Sequence, residues 1–140
     1  MRYMAALLVV ALPTAFLTHW VPSTPKTFQG YWMGIDPVDG GDQRRGLVRR
    51  ANGLFSLAGR DTHLTLCDHS DYGIATFDDG VLVSPRELVS DNMELTCFGN
   101  GQTVLLRARY ELVNDTLMIE TVTRQDGTPV HTMPLHKVSQ

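Results

Sequence analysis

The sequence predicts an all-β fold: a small antiparallel up-and-down barrel, preceded by an apolar N-terminal helix. Three observations carry this reading. Turn signals recur at short, even intervals after residue 30, the segments between them alternate apolar and polar residues, and an apolar run fills residues 4–17. Successive side chains of a strand point to opposite faces, so a period of two marks a sheet with one buried and one wet face.

The apolar run, MAALLVVALPTAFL, follows a single positive charge at Arg2 and fits the core of a secretory signal peptide. No clean small-x-small cleavage site follows, because Pro13 lies at the minus-three position of the candidate Ala15. The uncharged stretch continues to Pro25, through Trp20, so an uncleaved membrane anchor over residues 3–21 is a second reading. Either way residues 1–25 are a targeting or anchoring segment with a proline-rich spacer. The rest of the chain is then expected in the periplasm or outside the cell, touching a membrane only through that helix.

The remaining length suits one domain, over residues 28–140. A chain of 140 residues that is 43% hydrophobic and 19% charged is expected to fold, and its net charge of -3 gives no reason to expect nucleic acid as a partner. Turn signals fall at Asp39-Gly40-Gly41, Asn52-Gly53, Gly59-Arg60-Asp61, Asp78-Asp79-Gly80, Gly99-Asn100-Gly101, Asn114-Asp115 and Asp126-Gly127. Between them lie eight to ten short strands. Val104, Leu106, Ala108, Tyr110 and Leu112 share one face, with Arg107, Arg109 and Glu111 on the other. Met93, Leu95 and Cys97 likewise oppose Glu94 and Thr96, and a weaker alternation sets Leu117 and Ile119 against Met118 and Glu120. Sequential hairpins that must hide their edges close into a barrel or pack as a sandwich, and the barrel is favoured.

Two resemblances refine this. Gly30-Tyr31-Trp32 resembles the G-x-W that opens the first strand of lipocalins and other calycins. The resemblance implies that Trp32 plugs one barrel end against an arginine from near the last strand. Here the final strand, 130–138, offers only Lys137, and the nearest arginine is Arg124. Separately, Trp32, Asp36, Pro37, Asp39 and Gly40 in W-x-x-x-D-P-x-D-G, with Leu95-Thr96-Cys97 further on, look like a pattern in exported bacterial β-domains. That pattern implies a fold and an address, and no activity.

Cys67 and Cys97 form an even count in a chain expected to be exported, which favours a disulfide. Two buried thiols, or metal ligation together with His63 and His69, are the alternatives.

Candidate sites are few. Trp32, Phe55, Phe77, Met93 and Tyr110, with Met33, Phe98, Met118 and Met133, are the residues that would line a cavity for a small apolar ligand or fill a solid core. A carrier needs a cavity of at least about 300 Å³. Arg44, Arg45, Arg49 and Arg50 suggest an anion or partner contact, since guanidinium forks grip sulfate and phosphate at two points; strand parity places Arg45 and Arg49 opposite Arg44 and Arg50. Asp36, Asp39 and Asp42 are weak candidates for calcium, against the plainer reading of aspartates bonding their own turn.

No cofactor motif, G-x-S-x-G or P-loop occurs, and Glu94, Glu111 and Glu120 are acids of a kind any β-domain carries. The expected function is non-catalytic binding of a small apolar ligand. An envelope interaction module using residues 36–50 is the alternative, and a hydrolase the minority reading.

Overall fold

The structure, a computed structural model, describes residues 28–67 and 70–139, without the side chains of residues 63–65, 70 and 71. The targeting segment, His63 as a ligand and His69 therefore lie outside what is described. Eight antiparallel strands form one closed barrel in sequential order: β1 (Gly30–Ile35), β2 (Asp42–Arg49), β3 (Phe55–Leu64), β4 (Ser70–Ser84), β5 (Glu87–Cys97), β6 (Thr103–Asn114), β7 (Leu117–Arg124) and β8 (Pro129–Ser139). A 3₁₀ turn, Thr65–Cys67, follows β3. Residues 36–41, 65–69, 98–102 and 125–128 connect strands at one end, the mouth, and residues 50–54, 85–86 and 115–116 do so at the other, the base.

Alternation decides what lies inside. On β5 and β6 the inward residues are those expected: Met93, Leu95 and Cys97, then Leu106, Ala108, Tyr110 and Leu112. On β7 the inward set is Met118, Glu120 and Val122, so a carboxylate takes an interior position while Leu117 and Ile119 are half-buried. Phe98 departs from the expected interior set. It lies outside the barrel, 64% exposed, stacked on Tyr72 at 4.4 Å.

Two of the expected turns are strand instead. Gly59-Arg60-Asp61 runs through β3, and Asp78-Asp79-Gly80 runs through the long β4. The glycine at 59 serves close approach, since a Cβ there would come 2.3 Å from the Arg44 carbonyl and 3.0 Å from the Arg45 side chain. At the second site the β3–β4 register shifts near Phe55, and Asp79 accepts hydrogen bonds from Ser90 Oγ and Asn92 Nδ2 of β5.

The base is packed with aromatic and aliphatic side chains. Phe28 meets Phe55 edge-on at 6.0 Å, and Trp32, fully buried, donates its indole N–H to the Phe28 carbonyl at 3.0 Å. Lys137 of β8 places its ammonium 4.9 Å from the centre of the Trp32 ring. At the mouth, Cys67 and Cys97 form a disulfide with their Cα atoms 5.4 Å apart. It ties the 3₁₀ turn to the end of β5.

The β1–β8 seam that closes the barrel differs from the others. Among the described residues its ladder covers Tyr31, Trp32 and Met33, paired with Ser139, Lys137 and His136, and it contains a bulge. Lys137 N–H donates to Thr116 next to β7, so by alternation the even-numbered N–H positions of β8 face β1. Pro134, one of these, has no N–H to offer. Gly34 nevertheless lies so close that a Cβ would be 2.4 Å from the Pro134 carbonyl. Above Gly34, β1 ends and β8 faces the turn 36–41.

Candidate functional site: a buried ion network below the mouth

Five inward positions that alternation would ordinarily give to apolar residues carry polar or ionisable side chains instead. On β2, Gln43 and Arg45 share the inward face with Leu47; Asp61 lies inward on β3 and Glu120 inward on β7. His131 lies inward on β8 beside Met133 and Leu135. A buried charge survives only if it is paired and hydrogen-bonded.

Arg45 sits at the centre. Its Nε donates to Glu120 Oε2 at 2.6 Å and its Nη2 to Glu120 Oε1 at 3.0 Å, a two-point contact across the barrel. Nη1 donates to Asp61 Oδ1 and, at 2.9 Å, to the Arg44 carbonyl. Nη2 also reaches Gln43 Oε1 at 3.0 Å and Asp61 Oδ2 at 3.2 Å. Glu120 accepts two further bonds, from Tyr110 Oη at 2.6 Å and from His131 Nε2 at 2.6 Å. Gln43 Nε2 donates to Asp36 Oδ2 at 3.2 Å, and His131 Nδ1 lies 3.6 Å from the same oxygen. Among the described residues no buried side-chain nitrogen or oxygen lacks a partner.

The protonation states follow from this wiring. Burial opposes charge on Glu120, but the Arg45 guanidinium and the His131 contact outweigh it and hold the carboxyl well below its usual range. Asp61 shares the same cation with fewer donors, so burial prevails and its pKa rises. Burial also lowers the Arg45 pKa, yet Asp61 and Glu120 more than compensate and raise it. Tyr110 is pushed up by burial and by the neighbouring Glu120 charge. For His131, burial favours the neutral ring, but the hydrogen bond and charge of Glu120 carry the pKa above its ordinary value.

Between this network and the mouth lies a cavity of about 40 Å³. Asp36, Asp39, Arg45, Asp61 and His131 form its polar wall, and Leu66, Met93, Leu95, Leu106, Val122 and Val130 line its apolar side. No family model, curated protein or solved structure matches the chain. The site is thus read from its own geometry.

The expected site residues fall as follows. Trp32, Phe55, Phe77, Met93 and Tyr110 all lie inside the barrel, but of these only Met93 reaches the cavity; Tyr110 belongs to the ion network through Glu120, and the other three are packing. The four arginines do not form one patch. Arg45 is buried, Arg44 lies outside within 3.7 Å of Asp42, and Arg50 pairs with Asp78 at 3.6 Å. Arg49 is exposed at the end of β2, where alternation gives way to the turn.

The three aspartates do not converge either. Asp36 points inward and accepts the Val38 N–H, Asp39 accepts the Gly41 N–H, and Asp42 lies on the outer face near Arg44. Two of them thus do what turn aspartates do. Among the described residues no group of three or more potential ligands is placed to hold a metal ion.

Gln43, Asp61 and His131 were not among the sequence candidates, and Glu120 appeared only as one acid among several. Parity supplied the signal for three of them: Gln43 is two residues from Arg45, Glu120 lies between Met118 and Val122, and His131 is two residues from Met133, whereas Asp61 follows the glycine at 59 and had no such flank.

Proposed function

We propose that this barrel is a non-catalytic binding domain, lipocalin-like in architecture, that takes a small ligand through its mouth. One observation carries the reading: the two ends of the barrel are built differently. The base is sealed by Phe28, Trp32, Phe55 and Phe77, whereas the mouth end has a cavity with one apolar and one polar wall. The Lys137–Trp32 contact supports the calycin resemblance, with lysine filling the place of the arginine. The disulfide supports an oxidising compartment, and hence export.

At about 40 Å³ the cavity has room for a few waters and falls well short of the about 300 Å³ expected of a preformed carrier cavity, so that expectation is not met. The ligand is therefore a compact molecule with an apolar body and a polar head, or one whose binding displaces turn 36–41. A non-catalytic role is favoured because both Glu120 oxygens are already engaged by four donors.

Titration with n-butanol, followed by methyl NMR, tests the reading. Saturable shifts are expected at Leu95, Leu106, Val122 and Val130, with Leu47, Leu88 and Leu112 at the base unmoved. Shifts spread evenly over both sets, or none at all, would remove the mouth as the binding site.

A second reading, contact with a macromolecular partner, is favoured by the exposed stack near the disulfide. There Arg60 lies 4.6 Å over the Tyr72 ring and Tyr72 stacks on Phe98. Under that reading Phe98→Ser weakens partner binding and leaves the fold intact, whereas a Phe98 variant that binds like the parent counts against it.

A further inference from the structure

We propose that His131 and Asp36 form a pH-operated clasp that holds the mouth half of the β1–β8 seam shut. Three observations converge on this pair. First, the backbone ladder of the seam stops at Met33–His136, and Pro134 removes the next N–H that could extend it toward β1. Second, β1 ends at Ile35, so the mouth half of β8 has only the turn 36–41 to close against. Third, His131 Nδ1 faces Asp36 Oδ2 at 3.6 Å, a polar bridge from β8 to that turn. Outside the same seam lies an open groove of about 390 Å³, lined by Met33, Gly34, Ile35, Pro134 and His136.

The chemistry of the ring makes the clasp one-sided. A protonated imidazole has two N–H groups, one for Glu120 Oε1 at 2.6 Å and one directed at Asp36. A neutral ring has one N–H. The shorter bond to Glu120 retains it, which turns the Nδ1 lone pair toward the Asp36 carboxylate. Attraction becomes repulsion on the turn side alone, while Glu120 stays gripped by Arg45 and Tyr110. Asp36 keeps its bonds to Val38 N–H and Gln43, so the turn stays folded but is released from β8.

The charged groups facing His131 are Glu120 of β7, Asp36 and Asp39 of the turn, Asp61 of β3 and Arg45 of β2. Three of the four acids adjoin the cavity, so loss of the histidine proton also leaves its polar wall more negative. The clasp guards the cavity proposed above as the ligand site, so its role in binding rests on that reading. Its existence does not.

Hydrogen exchange of the full chain, corrected for intrinsic base catalysis, reads the clasp without any ligand. The segments 36–41 and 129–135 are compared across the His131 titration, which is followed by imidazole NMR in the same samples. Protection of both segments is expected to fall by about tenfold or more as the ring loses its proton, while 103–114 stays protected. In His131→Gln protection of the two segments is low and flat with pH. In Asp36→Asn the fall with pH is lost or inverted, because an amide N–H can donate to a neutral ring but opposes a protonated one. Protection that does not change through the titration of the parent overturns the clasp, as does a fall with rising pH that survives in either variant. Should His131→Gln fail to fold, Asp36→Asn decides alone.

Discussion

Arg45 of β2 and Glu120 of β7, 75 positions apart in the chain, meet inside the barrel through two parallel hydrogen bonds of 2.6 and 3.0 Å. Neither strand neighbours the other in the sheet, so the pair spans the interior. Its partners make the cost of removing either member unequal.

Arg45→Met leaves both Glu120 and Asp61 buried without their cation, whereas Glu120→Gln leaves Arg45 paired with Asp61. Breaking one side of a buried pair costs about 3–5 kcal/mol, so both variants are expected to destabilise, Arg45→Met by more. Urea denaturation checks the order. The double variant Arg45→Met/Glu120→Leu is expected to lose less than the sum of the single losses, because no opposed charge is stranded between them.

Stability is expected to fall as pH rises from about 6.5 through the folded-state pKa of His131. That pKa is raised, so the histidine's contribution is complete below the unfolded value and disappears above the folded one. On the acid side the signs oppose. Glu120, lowered, contributes above its unfolded value and is lost as pH falls through its folded one, while Asp61, raised, gains on protonation. Urea midpoints measured between about pH 6 and pH 9 should decline in the parent and stay level in His131→Gln.

Replacing both Cys67 and Cys97 with serine opens a loop of 30 residues. The chain-entropy account gives a loss of about 3–4 kcal/mol. Equilibrium unfolding with and without reductant measures it. Titration of the oxidised chain under denaturing conditions should find no free thiol.

At the base, Lys137→Met removes the cation over the Trp32 ring, and a loss of about 0.5–1 kcal/mol is expected. Lys137→Arg should retain most of it. Trp32→Phe costs more, about 1–3 kcal/mol, because the hydrogen bond to the Phe28 carbonyl and packed volume go together. Thermal melts of the three variants give the ranking.

Gly59→Ala tests the link between backbone and network. A methyl at this position would sit 2.3 Å from the Arg44 carbonyl and 3.0 Å from Arg45 Nη1, so β2 and β3 must move apart. A loss of about 1–3 kcal/mol is expected. A shifted Tyr110 or His131 resonance would trace the disturbance into the interior.

The barrel was legible because strands such as β6 keep strict alternation, with Leu106, Ala108 and Tyr110 inward and arginines outward. Six of the connections after residue 30 lie where glycine, asparagine, aspartate or proline punctuate the chain. Two glycine-bearing segments misled for a physical reason. Gly59 makes room for a neighbouring strand, and Gly80 lies where the register shifts, so neither turns the chain.

The site was harder to see. Parity alone puts Arg45 on the Leu47 face, Glu120 between Met118 and Val122, and His131 beside Met133. Charged residues are so seldom fully buried that this signal reads as an exterior stripe until its partners are known. Those partners come from opposite walls, and only closure of the sheet brings them together. The Lys137–Trp32 contact was partly visible, since Lys137 was the one lysine or arginine on the final strand.

Pro134 has a consequence for how the chain behaves in company. A cylinder that parts along one line bares two raw margins, and such margins invite another molecule to zip on and continue the weave. Here one margin lacks a donor midway along, so a ladder laid on it by another chain would be broken there. Growth of a filament along that margin is thereby opposed.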